Sequence, residues 1–566
     1  MTTRREFLGA GFAGFAALGI GSMIQRNELL LKWPPPGPSP HDPILQLPAF
    51  PQSVMHSGLP FAPFFTGDDF GDPAAIPFHA SWNGTIPSGG QDVDVAVVGG
   101  GLAGLTTAYL LRQRHPVLFD LRPRFGGNAL GERWMGTDFS IGSAYVMTPD
   151  PGSFVHRLYH RLGLHLVKRS SMPPDPVEIA GQVAQGFWQG AGLSPAEQAA
   201  FQRYAAVVTD MAENHYPEIP LSSDPVAAAA VLEMDTTNFE ADLQQRMGMP
   251  LPPLLAAAIQ AYFHSSFGAG MQEISAASGW NFVAAEEYGR WVFPGGNAAL
   301  ARALWQKLHH VELTSLPSNA PPMLRAGCRV VDVRRDNQRM RVTWVDAAGA
   351  TQTLRAKTVV MAGSKHVAKH VLHDIAALDP PKYEAMQRVN TSAYLVANVL
   401  LTAPVALDFY DIFLVHNAAY PMDPVACELN SRPADVLNGN YARVQNLPRS
   451  VLSFYWPLPW ASARFALILN DPYTTWAQRL VPHVLDTLSM LGVLASAVRQ
   501  VRISRWGHAM PIAAPNFIAD GVPQELLRPF QQRVFFVNQD NWALPAVENT
   551  LEDARSVAAE VNAFLG

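Results

Sequence analysis

A chain of 566 residues, 48% apolar and 16% charged, has material for a large core and for more than one domain. A formal net charge of −6, without a cluster of lysine or arginine, argues against a nucleic-acid partner. Two cysteines, Cys328 and Cys427, are too few for a disulfide framework or a cysteine metal site; they read as two buried thiols, with a single pairing as the alternative.

The chain begins with Thr3-Arg4-Arg5-Glu6-Phe7-Leu8 and an apolar segment from Phe7 to Ile24. This resembles a twin-arginine export signal (residues 1–30), which implies the twin-arginine export machinery as a partner and a periplasmic destination. No clear A-x-A site follows, and about 18 residues just suffice to span a bilayer, so an uncleaved membrane anchor stays open. Residues 31–90 form a proline-rich extension. Its first part reads as an extended spacer, because proline lacks an N–H donor and blocks helix. From Leu59 to Trp82 aromatic residues recur, and that half is expected to pack along the body.

The next stretch organises everything after it. Val93, Val95, Val97 and Val98 make a β-branched run suited to a buried parallel strand. Gly99-x-Gly101-x-x-Gly104 follows at once, then an apolar helix start over residues 105–111. The glycines allow the turn out of the strand, close backbone approach to a pyrophosphate, and tight packing of helix on sheet. The helix N-terminus then presents free N–H groups and a positive dipole end to phosphate. A second strand, 117–119, ends in Asp120, about 20 residues on, where a carboxylate accepts hydrogen bonds from ribose hydroxyls. Together these define a dinucleotide site.

Behind the second strand lie Arg122 and then Gly126-Gly127-Asn128. An acid, an arginine and a Gly-Gly pair in this order resemble the FAD-binding signature of the flavin amine oxidase and phytoene desaturase superfamily. Asn128 stands where that superfamily usually has arginine. The resemblance implies an α/β fold: an FAD-binding Rossmann-like domain of the glutathione-reductase type, with a substrate domain of mixed β-sheet and helices. It also implies FAD as cofactor. Residues 136–145 resemble the superfamily's next block, which runs under the flavin ring, and place Ser143, Ala144 and Tyr145 beside it. Tyr145 packed in the core with its hydroxyl satisfied is the plainer reading.

On this resemblance residues 91–150 are the first FAD segment and 151–290 a helical cap on the substrate side. Helices are expected over 154–164, 195–214, 225–232, 239–247 and 254–267, separated by proline or glycine. His156 and His160 share one helix, with His165 beyond, but no acid completes a metal set. No metal is expected. The adjacent carboxylates Glu286 and Glu287 point in different directions and read chiefly as solvated, with catalysis as the alternative.

Residues 291–385 form a second FAD segment, with Pro294-Gly295-Gly296 turning into a helix near Ala298. Residues 328–345 and 358–362 are strand-like, with a turn at Ala348-Gly349, and Val330 matches a family valine on the adenine side. Residues 386–500 alternate strands (393–401, 453–457, 466–469) with a helix over 475–491, the expected substrate-domain sheet. Residues 501–566 close the FAD site. A strand ending in Asp540 and a helix opening at Pro545-Ala546-Val547 resemble the superfamily's last block, with an acid near the ribityl–phosphate and a helix N-terminus aimed at the flavin C2 carbonyl.

The resemblance implies an exported FAD-dependent oxidoreductase that oxidises a small organic substrate by hydride transfer. Oxygen, a quinone or a protein would then be the electron acceptor. Strand 393–401 holds no lysine, and Ala546 stands where amine oxidases often place an aromatic residue. A primary-amine substrate is therefore put in doubt, leaving amine-like or hydrophobic molecules. Among proton carriers, His508 falls in the stretch expected to border the pocket, where imidazole suits acid/base work, and Tyr145 is a second candidate. The alternative is a non-catalytic, degenerate flavin-binding protein that acts as an assembly or interaction factor.

Overall fold

The computed structural model describes residues 39–68, 80–415, 432–443, 447–458, 467 and 471–566. The export-signal residues, Cys427 and the strand expected at 466–469 lie outside the described residues, apart from Leu467.

Two large sheets carry the molecule. In the first, strands run in the order Leu324–Arg325, Val117–Phe119, Gln91–Val98, Thr351–Met361, Arg339–Val345, Arg329–Asp336, with Val534–Phe536 also paired to Thr351–Met361. The β-branched run at 93–98 is buried at its centre, as a parallel strand covered on both faces must be. Pairs Val98↔Phe119, Val98↔Met361 and Met361↔Phe536 bring four parallel strand ends together. Ligands of open α/β sheets bind at such carboxyl ends. The run expected at 328–345 is in fact a hairpin. Asn337, in the left-handed region at φ +54°, turns Arg329–Asp336 back onto Arg339–Val345.

The second sheet has ten strands, and its centre is Asp435–Asn438, Ser450–Leu458, Thr391–Leu401 and Val498–Pro511 in that order. Thr391–Leu401 is buried along its whole length. Val498–Pro511 belongs here as one continuous strand, so the boundary expected at 501 falls inside it. Residues 151–290 contain the expected helices, including Phe239–Met247 and Pro253–Phe267, but also short strands; Val177–Ile179 joins the second sheet beside Asp411–Leu414. The extension packs earlier than its prolines suggest. Ile44–Gln46 pairs with Gly131–Trp134, and Thr66–Gly67 pairs with Val498–Pro511.

Glu132 and Arg502 hold this extension layer to the second sheet. Both are buried, and the guanidinium donates two bonds to the carboxylate at 2.6 and 2.7 Å. A bidentate pair satisfies charge and geometry together.

Candidate active site

A single cavity of ≈ 1190 Å³ runs from the carboxyl ends of the first sheet to the face of the second. Pockets for a drug-sized ligand run up to about 1,000 Å³. This one has room for a dinucleotide and a substrate.

At the nucleotide end, strand Gln91–Val98 leaves through Gly99, whose φ of +111° favours glycine. A Cβ on Gly104 would lie 1.8 Å from the Gly99 carbonyl oxygen, so only glycine lets the helix Leu102–Leu110 sit against the strand. Gly126 donates to the Gly100 carbonyl at 2.8 Å, and a Cβ on Gly127 would come within 2.9 Å of the Gly101 Cα. The Gly-Gly pair therefore zips onto the phosphate loop. Asp120 accepts from Gly100 N–H at 2.8 Å and Arg122 N–H at 2.7 Å. Each carboxylate oxygen retains a further lone pair for a ribose hydroxyl.

Two of the helices that open on the cavity have no side-chain cap, whereas a third, Lys365–Val371, is capped by Ser364. Gly101 precedes Leu102–Leu110, and Ala546 precedes Val547–Leu565. Helices at Phe154, Pro195, Phe239 and Ala276, by contrast, are capped by Ser153, Ser194, Asn238 and Ser275. An uncapped N-terminus leaves N–H donors for a ligand. Asp540, 1% exposed, receives Ser364 Oγ at 3.0 Å and Lys365 N–H at 2.7 Å, which fixes an acid at the cavity wall. Glycine cradle, acid and uncapped helices fit FAD.

Of the residues expected at the cofactor, Gly99, Gly101, Asp120, Arg122, Gly126, Gly127, Asn128, Ser143, Ala144, Tyr145, Val330, Asp540 and Val547 all line this cavity; Gly104 packs behind it. Asn128 spends an amide donor on the Ala509 carbonyl at 3.0 Å. Arg122 is tied to Asp68, a residue of the N-terminal extension that the sequence reading did not single out. Asp68 also accepts Gly507 N–H at 2.8 Å, and its own N–H donates to the Arg505 carbonyl at 2.8 Å. The extension thus positions an arginine of the cofactor wall. Asp68→Ala is expected to weaken FAD binding about tenfold, the scale of one charge-assisted hydrogen bond, as measured by flavin fluorescence on dilution.

At the substrate end the walls carry Ser265, Phe282, Tyr394, Phe413, Leu437, Tyr455 and Trp506. His508 lines the cavity, with Nδ1 2.9 Å from Thr391 Oγ1 and its ring 4.6 Å from that of His366. Tyr145 donates to Glu286 Oε1 at 2.7 Å, and burial beside Glu286 pushes the phenol well above 10. Glu286 is not solvated, as the paired carboxylates suggested. It is 6% exposed, facing inward, while Glu287 is exposed. Arg290, 1% exposed, pairs with Asp175 and lies 3.9 Å from Glu286.

Two acids that the sequence reading passed over complete this end. Asp411 and Asp435 line the cavity at 2% exposure each. Burial pushes Asp435 up to about 8 and Asp411 well above the carboxylate range. The signal for Asp411 in the sequence was an acid inside an apolar run, Phe409-Tyr410-Asp411-Ile412-Phe413. The His160 and His165 rings stack at 3.8 Å between centroids, and His156 lies tilted against His160 at 4.3 Å. Among the described residues no group of three or more His, Cys, Asp or Glu is placed to hold a metal.

A dinucleotide-binding sheet joined through one cavity to a large mixed sheet defines a two-domain flavoprotein oxidoreductase. The chain belongs to the flavin containing amine oxidoreductase family, whose model matches residues 102–424. It is an FAD-dependent oxidoreductase, acting on a small-molecule substrate with an electron acceptor. It is similar to Oxidoreductase PigB of Serratia sp. (strain ATCC 39006), 20% identical over 84% of this chain and 76% of that protein. It also resembles the Nicotine dehydrogenase of Pseudomonas putida (strain DSM 28022 / S16), 26% identical over 43% of this chain and 50% of that one. Putrescine oxidase solved with putrescine bound shares the fold, with a TM-score of 0.61 at 15% identity over 84% of this chain and all of that one.

Proposed function

We propose that this enzyme oxidises a small organic substrate, amine-like or hydrophobic, by hydride transfer to FAD, and that it does so after export. The observation that carries the reading is the single cavity joining the glycine cradle to an aromatic, acid-bearing chamber. Bound FAD supplies the two-electron acceptor. The chain's residues supply position, exclusion of water and a place for the proton. Tyr145, with its phenol held protonated, orients and donates but does not serve as base. His508, on the cavity wall beside Thr391, is the group suited to take the proton.

The relatives named for amine and N-heterocycle oxidation support an amine-like substrate. Thr3-Arg4-Arg5-Glu6-Phe7-Leu8 supports export through the twin-arginine route into a periplasm, with oxygen, a quinone or a protein as electron acceptor.

The test is anaerobic bleaching of the flavin by a panel of amines, N-heterocycles and neutral hydrophobic molecules. A substrate of the panel is expected to bleach the wild type, and His508→Gln to slow that bleaching about 100-fold or more. No bleaching by any member contradicts the reading. An Arg4→Lys/Arg5→Lys double variant is expected to stay in the cytoplasmic fraction; equal export of both forms contradicts the export half.

A further inference from the structure

The cavity wall carries six carboxyl side chains and two arginines, Arg122 and Arg124, among the described residues. Arg122 is tied to Asp68, and the Arg124 guanidinium donates to the Gly131 carbonyl at 3.2 Å. FAD brings a pyrophosphate, itself an anion, into this acidic space. The uncapped helix ends offset only part of that charge. A further cation stands directly behind the wall.

Lys365 is fully buried, and its ammonium meets no hydrogen-bond partner. Its backbone N–H donates to Asp540, which lines the cavity, and the neighbouring Ser364 hydroxyl donates to the same carboxylate oxygen. The ammonium lies 5.8 Å from the centre of the Phe536 ring and interacts with the charges of Asp540 and Asp553. Asp553, on the helix Val547–Leu565, accepts from Asn541 Nδ2 at 2.8 Å and Trp542 Nε1 at 3.3 Å, the two residues that follow Asp540. Lys365 therefore sits where the turn bearing Asp540 meets the last helix.

The other elements packed around it do not neutralise it. The helix Pro380–Gln387 brings a second buried lysine, Lys382, 4.2 Å from the same ring centre, with Nζ donating to the Glu525 and Leu526 carbonyls. On the strand Arg329–Asp336, Asp332 is engaged by Arg334, and on the helix Val522–Leu527, Glu525 is engaged by Arg528. His366, on the helix of Lys365 itself, holds its ring 4.6 Å from that of His508. Burial pulls Lys365 down to about 8 and Lys382 down to about 7, and pushes Asp553 up to about 6. An ammonium without donors' partners in such surroundings is costly, and an anion across the wall offsets that cost.

We propose that Lys365 is the counter-ion of bound FAD: acting through Asp540, its ammonium offsets the cofactor's negative charge from behind the cavity wall, and the protein holds FAD tightly only while this lysine is protonated. Lys365 is thus a positioning residue, because its side chain does not line the cavity. The inference rests on FAD occupying this cavity. Cofactor and proton help each other by the same factor: a nearby anion raises the lysine's hold on its proton, and the proton raises the hold on the anion. FAD affinity is therefore full well below pH 8 and is lost as pH rises through 8.

The experiment dilutes FAD-loaded protein at pH 7, 8 and 9 and follows released flavin by fluorescence. With a lysine that titrates at about 8, about one FAD-free protein in ten is protonated at pH 9, so the wild-type dissociation constant is expected to rise about tenfold from pH 7 to pH 9. Lys365→Met is expected to bind FAD at pH 7 about as weakly as the wild type does at pH 9, with no further change up to pH 9. Lys365→Arg, charged throughout, is expected to keep at pH 9 the affinity it has at pH 7. Asp435, which with Asp175, Glu286 and Asp411 makes four carboxyls around Arg290, also titrates at about 8, and Asp435→Asn is expected to leave the wild-type rise intact. A wild-type affinity that is flat from pH 7 to pH 9, a rise that persists in Lys365→Met, or a rise abolished by Asp435→Asn overturns the proposal. A protein that holds no FAD at any of these pH values sinks the cofactor reading with it.

Discussion

Gly104→Ala is expected to purify without FAD. The added Cβ would sit 1.8 Å from the Gly99 carbonyl oxygen and 3.2 Å from Leu118 Cδ1. The first contact is backbone, so relief comes only by lifting the helix Leu102–Leu110 off its strand. That helix delivers the uncapped N-terminus to the cavity, and its displacement removes the phosphate-facing donors together with the packing. Flavin absorbance per protein should fall to a few per cent of wild type even with added FAD, with a lowered melting temperature by calorimetry. Stoichiometric FAD in this variant would contradict the cradle described above.

Arg290→Met should cost about 3–5 kcal/mol of stability, the scale for breaking a buried ion pair from one side. The guanidinium is 1% exposed, pairs with Asp175, lies near Glu286, and rests over the Tyr145 and Tyr410 rings at 5.0 and 5.5 Å. Without it the surrounding carboxyls must be held neutral. A carboxyl whose folded pKa is raised above its unfolded value weakens the fold progressively as pH climbs from the unfolded value to the folded one. The deficit of Arg290→Met should therefore be larger at pH 8 than at pH 5, read by chemical unfolding at both. A variant within about 1 kcal/mol of wild type at pH 8 would show that the four carboxyls do not depend on this cation.

Much of the nucleotide half was legible because its physics is local. Val93 to Gly104, Asp120 and the Gly126-Gly127 pair lie within one short stretch, where strand, turn and helix signals follow one another without interruption. The C-terminal block was legible in part: the helix Val547–Leu565 falls where the apolar stripe puts it, whereas the strand expected to end in Asp540 stops at Phe536 and Asp540 stands in the short 3-10 turn Gln539–Asn541. The substrate half was harder because its chemistry is assembled across sequence-distant strands. Asp411 and Asp435 meet through the register of two four-residue strands, too short for a period to show. Asp68 reaches Arg122 through a two-residue strand laid on Val498–Pro511. Nothing local to a proline-rich extension marks such a contact. Glu286 differs from Glu287 only in which side of its helix faces the cluster around Arg290, and that side is set by tertiary packing.

The most direct test of the central claim, one cavity built to hold FAD, is the absorption spectrum of the purified protein followed by heat release of its chromophore. The expected result is the paired near-ultraviolet and blue bands of oxidised flavin, with FAD in the supernatant at about one per chain. A colourless protein that takes up no added FAD would contradict it.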